Sequence, residues 1–320
     1  MAAVRTDDPL VSVVVPVLNG ERYIERCLRS IRELTGDTGS VEIIVMDNGS
    51  TDRTHAIIRE LGCGFQVVPG VRVGGLRNRG IQRARGAYVA FVDSDVELEP
   101  AWLQGAMTVF DDASVVAAGC FPAVPKGATW VQRAWDLHQR GRWRHSGPSP
   151  ARWLSSMNLL ARRADLLAIG GFNERLETAE DVDLCYRLAS RGRLVWNPAM
   201  SAVHWGEAPN LRTFWRKEVW RGKGNLQGTL SHGIRWDELP SIGYPLYMAL
   251  FGGLTVASAG VDLLQGRLWW WPLTTTLLVL PALLLTVQTA CMSASFRAMP
   301  QLFLLYALYG WARAYALVRA

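Results

Sequence analysis

The segment Ala87-Tyr88-Val89-Ala90-Phe91-Val92 is unbroken apolar and aromatic chain, and it ends abruptly in two carboxylates one residue apart, Asp93 and Asp95. It reads as a buried strand that delivers two charges to its C-terminal edge. Such a strand can carry two carboxylates at its tip only where a cation or strong hydrogen-bond donors neutralise them, and hard oxygen ligands of this kind suit Mg²⁺ or Mn²⁺. In isolation, Asp93-Ser94-Asp95 reads more readily as an Asx-type turn capping the next helix. Its neighbours in the chain decide between the two.

Upstream, Val11-Ser12-Val13-Val14-Val15-Pro16-Val17-Leu18 is a β-branched run of the kind found in buried parallel strands, and Asn19-Gly20 turns the chain. Ile24, Cys27, Leu28, Ile31 and Leu34 then recur at helical spacing. Val41 to Met46 is a second strand, ending in the polar cluster Asp47-Asn48-Gly49-Ser50-Thr51-Asp52. A helix around Thr54 to Leu61, a strand Phe65 to Val68, a Gly74-Gly75 loop and a helix from about Leu76 to Ala84 lead back to the central strand. Alternating units of this kind predict a doubly wound α/β sheet, which binds ligands beyond the carboxyl ends of its strands. Asp47, Asp93 and Asp95 all fall at that edge. The first βα turn lacks a Gly-x-Gly-x-x-Gly loop, which argues against ordinary dinucleotide binding.

The succession of Val11 to Asn19, Ile43 to Asp52, Arg77-Asn78-Arg79-Gly80-Ile81 and Phe91 to Asp95 resembles the family 2 glycosyltransferases of the GT-A fold. The similarity continues through Gly170-Gly171-Phe172-Asn173-Glu174 and Glu180-Asp181-Val182-Asp183-Leu184-Cys185-Tyr186-Arg187, and covers about residues 11–205. The resemblance implies transfer of a sugar from a nucleotide-diphosphate donor. It implies a donor pocket of Pro16, Asn19, Asp47, Asn48, Arg77, Asn78, Asp93, Ser94 and Asp95, in which Asn48 replaces the second Asp of many relatives. It further implies a divalent cofactor, Mn²⁺ or Mg²⁺, held by Asp95 with Asp93 and His204, and an acceptor side near Asn158 and Trp153.

Acids in the first turn of a helix offset its dipole, and Asp183 with Arg187 forms an ordinary i,i+4 pair. Within the family pattern the same motif supplies the base, here Asp181 with Glu180 as the second choice, since direct displacement with inversion requires a base opposite the leaving group. His55, His138, His145 and His232 show no partner by spacing. Trp130, Trp135, Trp143 and Trp153 lie among Arg133, Arg140, Arg142 and Arg144. That mixture suits either a phosphorylated, lipid-linked acceptor or anchoring at a bilayer interface.

Downstream, Leu239–Val261 and Leu268–Phe296 contain no charge. Each is long enough to cross a bilayer core of about 30 Å, which takes ~20 apolar residues. A third run, Ala298–Ala312, continues into Arg313 and Arg319, and is read as either a span or an interfacial helix. Before the first span, Phe214, Trp215 and Trp220 alternate with Arg212, Arg216, Lys217, Arg221 and Lys223, as in a basic helix lying on the membrane. This basic cluster puts the catalytic domain on the cytoplasmic face of a cell inner membrane. The net charge of +6 fits an anionic membrane surface better than nucleic acid. The N-terminus has no apolar signal-peptide core. The five cysteines show no metal-like spacing and read as reduced.

The expected organisation is therefore a GT-A catalytic domain over 1–205, a basic interfacial segment over 206–238 and a membrane domain of two or three helices over 239–320. The expected activity is inverting, metal-dependent transfer of a sugar to a hydroxyl of a polyprenyl-linked saccharide in surface polysaccharide synthesis. The expected partners are a nucleotide-diphosphate sugar, a lipid-linked acceptor and membrane lipids. A polyprenyl-phosphate glycosyltransferase and an idle nucleotide-sugar-binding membrane protein are the alternatives. The first needs no base, so Asp181→Asn separates it from the saccharide-extending enzyme. The second binds donor without turnover.

Overall fold

The computed structural model describes residues 8–34, 41–141, 147–223 and 239–319. The chain divides into two units, one built from residues up to 126 and from 143 to 207, the other from 127–142 and from 208 onward.

The first unit begins with β1 (Val11–Val17), α1 (Ile24–Arg32), β2 (Val41–Asp47), α2 (Thr54–Glu60), β3 (Phe65–Val67), α3 (Val73–Arg83) and β4 (Tyr88–Val92). It continues with β5 (Val96–Leu98), α4 (Trp102–Met107) and β6 (Val115–Gly119). After the excursion to the second unit come β7 (Ser149–Ala151), β8 (Asn158–Arg162), α6 (Arg163–Ala168), α7 (Glu180–Ala189), β9 (Arg193–Trp196) and β10 (Ala202–His204). Eight strands form one sheet in the order β3-β2-β1-β4-β8-β6-β9-β7. The β3, β2, β1 and β4 strands run parallel. Beyond β4 the sheet turns mixed, with β8 antiparallel to both β4 and β6. Strands β5 and β10 form a separate antiparallel pair, matching Val96 with His204.

Strand β1 is buried along its whole length, as its β-branched composition requires. Pro16 is tolerated there because the β1–β4 register ends at Val14–Phe91, before the proline. Helix α3 lies flush on β1: a Cβ at Gly80 would sit 2.3 Å from Val14 Cγ1. This helix starts at Val73, so Gly74 and Gly75, read as a loop, are helical. Both are in a crowded first turn, where a Cβ on Gly74 would meet the Phe172 Cβ at 3.3 Å and one on Gly75 the Glu174 carboxylate at 3.2 Å. Cys27, Cys120 and Cys185 are buried thiols outside any disulfide, and burial pushes the Cys185 thiol up to about 12.

The second unit comprises α5 (Trp130–Arg140), α8 (Leu211–Lys223), α9 (Leu239–Gln265), α10 (Trp270–Ser293) and α11 (Met299–Arg319). Its core joins Val131, Trp135, Phe214, Leu302, Leu305 and Tyr306. By length and composition, two helical stretches among the described residues can cross a membrane, Gly243–Gln265 and Trp270–Ser293. Asp262 closes the hairpin between them, accepting the backbone N–H groups of Trp269 and Trp271 at 2.9 and 2.8 Å and so capping α10. Helix α8 does more than present a basic side. Its Phe214 is buried in the core, and its Glu218, fully buried, accepts from Arg313 Nε and Nη2 at 3.1 and 2.9 Å. The arginine that interrupts the last apolar run is thus neutralised within the helical packing.

Candidate active site

The carboxyl ends of β2 and β4 and the start of α7 hold the acids singled out above. Asp47 closes β2 and has no solvent exposure. Gly49 takes a φ of 87°, which lets the N–H groups of Gly49 and Ser50 turn back onto Asp47 Oδ2 at 2.8 and 2.9 Å. His55 Nε2 meets the same oxygen at 2.9 Å. Asp47 Oδ1 has no partner among the described residues. Burial raises this carboxyl's proton affinity, but the bonds from Ser50, His55 and Gly49 outweigh it and hold Asp47 below the usual range. The neighbouring turn is tied in by Asn19, whose N–H donates to Ser50 Oγ at 2.8 Å and whose Oδ1 accepts from the Thr51 N–H at 2.9 Å.

Arg77 occupies the centre of the site. On the buried face of α3, its Nη2 donates to Asp93 Oδ1 at 2.8 Å and its Nη1 to Glu180 Oε1 at 2.7 Å. Burial disfavours its charge, but these two carboxylates more than offset that and raise its pKa. Asp181 follows Glu180 at the start of α7, after Ala179, which adopts a left-handed φ of 63°. Burial, then the neighbouring Glu180 charge, push the half-buried Asp181 carboxyl up to about 7, against the pull of Arg77 and of the N–H groups of Val182 and Ser156. Asp181 is thus a carboxylate whose proton affinity is matched to neutral pH.

Asp95 leads into β5, and its Oδ2 lies 3.3 Å from His204 Nε2 in the paired strand β10. A Cβ on Gly206 would fall 1.8 Å from Asp95 Oδ2, so a larger residue there would have to displace this carboxylate. Behind the imidazole, Glu207 Oε2 lies 3.6 Å from His204 Nδ1. No group of three or more His, Cys, Asp or Glu forms a metal cage among the described residues. Asp95 and His204 nevertheless fit a divalent ion bound jointly by protein and ligand. Their 3.3 Å spacing is near the ~3 Å between adjacent donors around an octahedral ion, and Mg²⁺ and Mn²⁺ are commonly held by a few side chains plus phosphate oxygens. Asp93 faces Arg77 instead, so of the three expected ligands it stands apart.

Several expected contacts are structural in this geometry. Asn48 Nδ2 donates to the Val71 carbonyl at 2.9 Å and its Oδ1 accepts from the Val71 N–H at 3.3 Å, so its amide clamps a loop. Asn78 likewise holds Phe172, accepting from its N–H at 2.7 Å and donating to its carbonyl at 2.9 Å. Asn158, expected on the acceptor side, is fully buried. It accepts from Trp102 Nε1 at 2.6 Å and donates to the Met200 and Cys120 carbonyls at 2.8 and 3.1 Å, which leaves its amide nothing to offer a sugar. Trp135 is core in the second unit. Trp153 keeps an open face, its ring edge-on to Phe121 at 5.4 Å. Pro16 is buried in β1, while Ser94 is half-buried between the two aspartates. Asp183 makes the ordinary pair with Arg187. Arg142, Trp143, Arg144, His145, His232 and the stretch 224–238 lie outside the described residues.

An uncharacterized protein of Mycobacterium tuberculosis is 32% identical over 217 residues, 62% of this chain and 67% of that protein. The family model Glycosyl transferase family 2 matches residues 12–166, from β1 into α6. The chain belongs to glycosyl transferase family 2. Glycosyltransferase AglE of Haloferax volcanii is 28% identical over 228 residues, 68% of this chain and 74% of that protein. Validoxylamine A glucosyltransferase of Streptomyces hygroscopicus subsp. limoneus is 27% identical over 249 residues, and the aligned chain spans about half of it, 53%. Among solved structures, the mannosyltransferase PcManGT from Pyrobaculum calidifontis, in complex with GDP-Man and Mn²⁺, superposes with a TM-score of 0.60 at 21% identity, over 93% of this chain and 88% of that one. This likeness shows a GT-A fold. In this family 2 glycosyltransferase the matched region carries Asp47, Arg77, Asp93 and Asp95, and the α7 acids and His204 lie beyond it.

Proposed function

We propose that this chain transfers a sugar, with inversion, from a nucleotide-diphosphate donor to a hydroxyl of a polyprenyl-linked saccharide. The observation that carries the proposal is Asp181, a carboxyl that burial and Glu180 push up to about 7, next to the Arg77 that also binds Asp93 at the end of β4. Asp47, at the end of β2, stands on the side of the sheet's carboxyl edge that takes the donor's base or ribose. Asp95 and His204 would hold a divalent ion, which would supply electrostatic stabilisation of the charge developing on the departing nucleotide diphosphate. Arg77 holds Asp93 and Glu180 in place through its two ion pairs. The Asp181 carboxylate takes the proton of the acceptor hydroxyl as its oxygen forms the new bond to the sugar's anomeric carbon. The bond from that carbon to the diphosphate breaks, its electron pair leaving with the diphosphate, and the configuration inverts. Trp153, with its open ring face, suits a sugar on the acceptor side. The nucleotide sugar and Mn²⁺ bound by PcManGT support the donor and cofactor reading.

The exposed Trp269, Trp270 and Trp271 beside Leu263, Leu264 and Leu268 suit a bilayer boundary, and the basic residues of α8 suit the cytoplasmic face of a cell inner membrane. The membrane anchor is also what favours a lipid-linked acceptor in cell-envelope polysaccharide synthesis. The test offers labelled donor with either polyprenyl phosphate or a polyprenyl-diphosphate-linked saccharide to the wild type and to Asp181→Asn. Elongation of the saccharide, lost in the variant, supports the reading. Label on polyprenyl phosphate, unaffected by the variant, replaces it with the lipid-phosphate enzyme.

A further inference from the structure

His204 stands between two carboxylates. Its Nε2 lies 3.3 Å from Asp95 Oδ2, and its Nδ1 lies 3.6 Å from Oε2 of Glu207, which has no place in the chemistry proposed above. Both side chains are buried, His204 at 7% exposure and Glu207 at 2%, so water does little to screen one from the other. A neutral imidazole carries a single N–H, and its other ring nitrogen is a lone pair. Only a lone pair can ligate a cation, so the ring can do so through Nε2 only with its proton on Nδ1.

The chain carrying both residues is firmly fastened. His204 pairs with Val96 across β10 and β5, and the Trp205 N–H donates to the Asp95 carbonyl at 2.9 Å. The Trp205 indole N–H donates to Glu97 Oε2 at 2.7 Å, with the Arg26 guanidinium 3.9 Å from the ring centre. With the backbone fixed in this way, the variable left at His204 is which nitrogen bears the proton. At 3.6 Å the Glu207 contact is electrostatic rather than a hydrogen bond. A protonated Nδ1 faces that carboxylate favourably, whereas a bare Nδ1 sets a lone pair against its negative charge. Asp95 pulls the proton the other way, toward Nε2, so the two carboxylates compete for it and the pull of Glu207 is the one that favours ligation. We propose that Glu207 is a positioning residue that holds the His204 proton on Nδ1 and so presents the Nε2 lone pair beside Asp95. This rests on the metal reading above and adds to it a residue outside the ligand pair.

The test is Mn²⁺ binding to the full chain in detergent, followed by the electron paramagnetic resonance of the free ion. It is run with Mn²⁺ alone and with UDP or GDP, and Asp95→Asn serves as the blank. Glu207→Met removes the carboxylate at similar volume and should weaken Mn²⁺ binding by about tenfold to a hundredfold, the usual effect of losing such a partner. Glu207→Gln, whose side-chain carbonyl can accept from the Nδ1–H, should recover most of that loss. In a His204→Asn background, Glu207→Met should cause no further loss. A purely structural role would lower the melting temperature of Glu207→Met without changing its Mn²⁺ affinity, or would act equally with and without His204. Nitrogen NMR of the histidine-labelled wild type with Mg²⁺ needs no substitution at Glu207, and should show His204 protonated at Nδ1. Unchanged Mn²⁺ affinity in folded Glu207→Met, an equal loss in the His204→Asn background, or a His204 protonated at Nε2 with Mg²⁺ overturns the role of Glu207 while the metal reading stands on Asp95. Mn²⁺ binding that is absent, or the same in Asp95→Asn, removes the metal reading and this inference with it.

Discussion

Arg77 Nη1 donates to Glu180 Oε1 at 2.7 Å, joining α3 to the first turn of α7 across 103 residues of sequence. This contact gives two adjacent acids different surroundings. Glu180 is held as counter-ion to a buried cation, while Asp181 makes no salt bridge among the described residues and keeps a proton affinity near neutrality.

Asp181→Asn is therefore expected to lower kcat by about 10²- to 10⁴-fold, the usual contribution of a positioned base, without loss of nucleotide affinity. In the wild type, kcat/KM should rise with pH through an acidic limb near 7, measured by coupled nucleoside diphosphate release, and the variant's residual rate should lack that limb.

The same carboxyl gives a stability signature of defined sign. Its pKa is raised on folding from about 3.8 to about 7, so the folded chain binds the extra proton. Asp181 thus costs no stability below the unfolded value and progressively more as pH rises through the window to about 7. Asp181→Asn should melt at a higher temperature than the wild type above pH 7, and the difference should vanish toward pH 4. Equal melting temperatures across that range would contradict the burial argument.

Arg77→Met strands Asp93 and Glu180 without their cation, a change that typically costs about 3–5 kcal/mol for a buried pair. Thermal unfolding in detergent checks this. The substitution also removes the charge that pulls Asp181 downward, so the acidic limb of any surviving activity should move above 7.

Gly80→Ala drives a methyl group to 2.3 Å from Val14 Cγ1 and should destabilise the first unit by about 1–3 kcal/mol through overpacking. Adding Val14→Ala removes the clashing atoms and should recover part of the loss. A strictly additive double variant would mean that α3 is not seated on β1 as described.

In the helical unit, Glu218→Leu leaves Arg313 buried without its carboxylate, at a cost of about 3–5 kcal/mol. Glu218→Leu with Arg313→Leu should be considerably more stable than the single variant, since packed apolar side chains often replace a buried ion pair without loss. Unfolding monitored by tryptophan fluorescence would register both.

Much of the donor edge was legible because strands buried on both faces leave a plain signature: Val11–Val17 and Tyr88–Val92 are nearly pure apolar runs, and the acids that end them have nowhere to go but the sheet's carboxyl edge. Polar residues were harder. The sequence of Asn48, Asn78 or Asn158 is the same whether the amide faces a ligand or a backbone carbonyl, and all three face the backbone. His55 escaped notice because its partner lies eight residues back, across a turn, where no helical or strand period relates them. Gly74 and Gly75 read as chain breakers, whereas their lack of a side chain admits Phe172 and Glu174 against the first turn of α3. Glu218 and Arg313, 95 residues apart, carry no sign of each other in the sequence.

The most direct test is nucleoside diphosphate release by the detergent-purified full chain, given a panel of nucleotide sugars and a membrane lipid extract as acceptor, with and without Mn²⁺ or Mg²⁺. The expected result is release from one donor that requires the metal and is abolished by Asp95→Asn. Donor binding without release, with a proven acceptor pool present, or release unaffected by Asp95→Asn, would contradict the assignment of this sheet edge as a metal-assisted glycosyl transfer site.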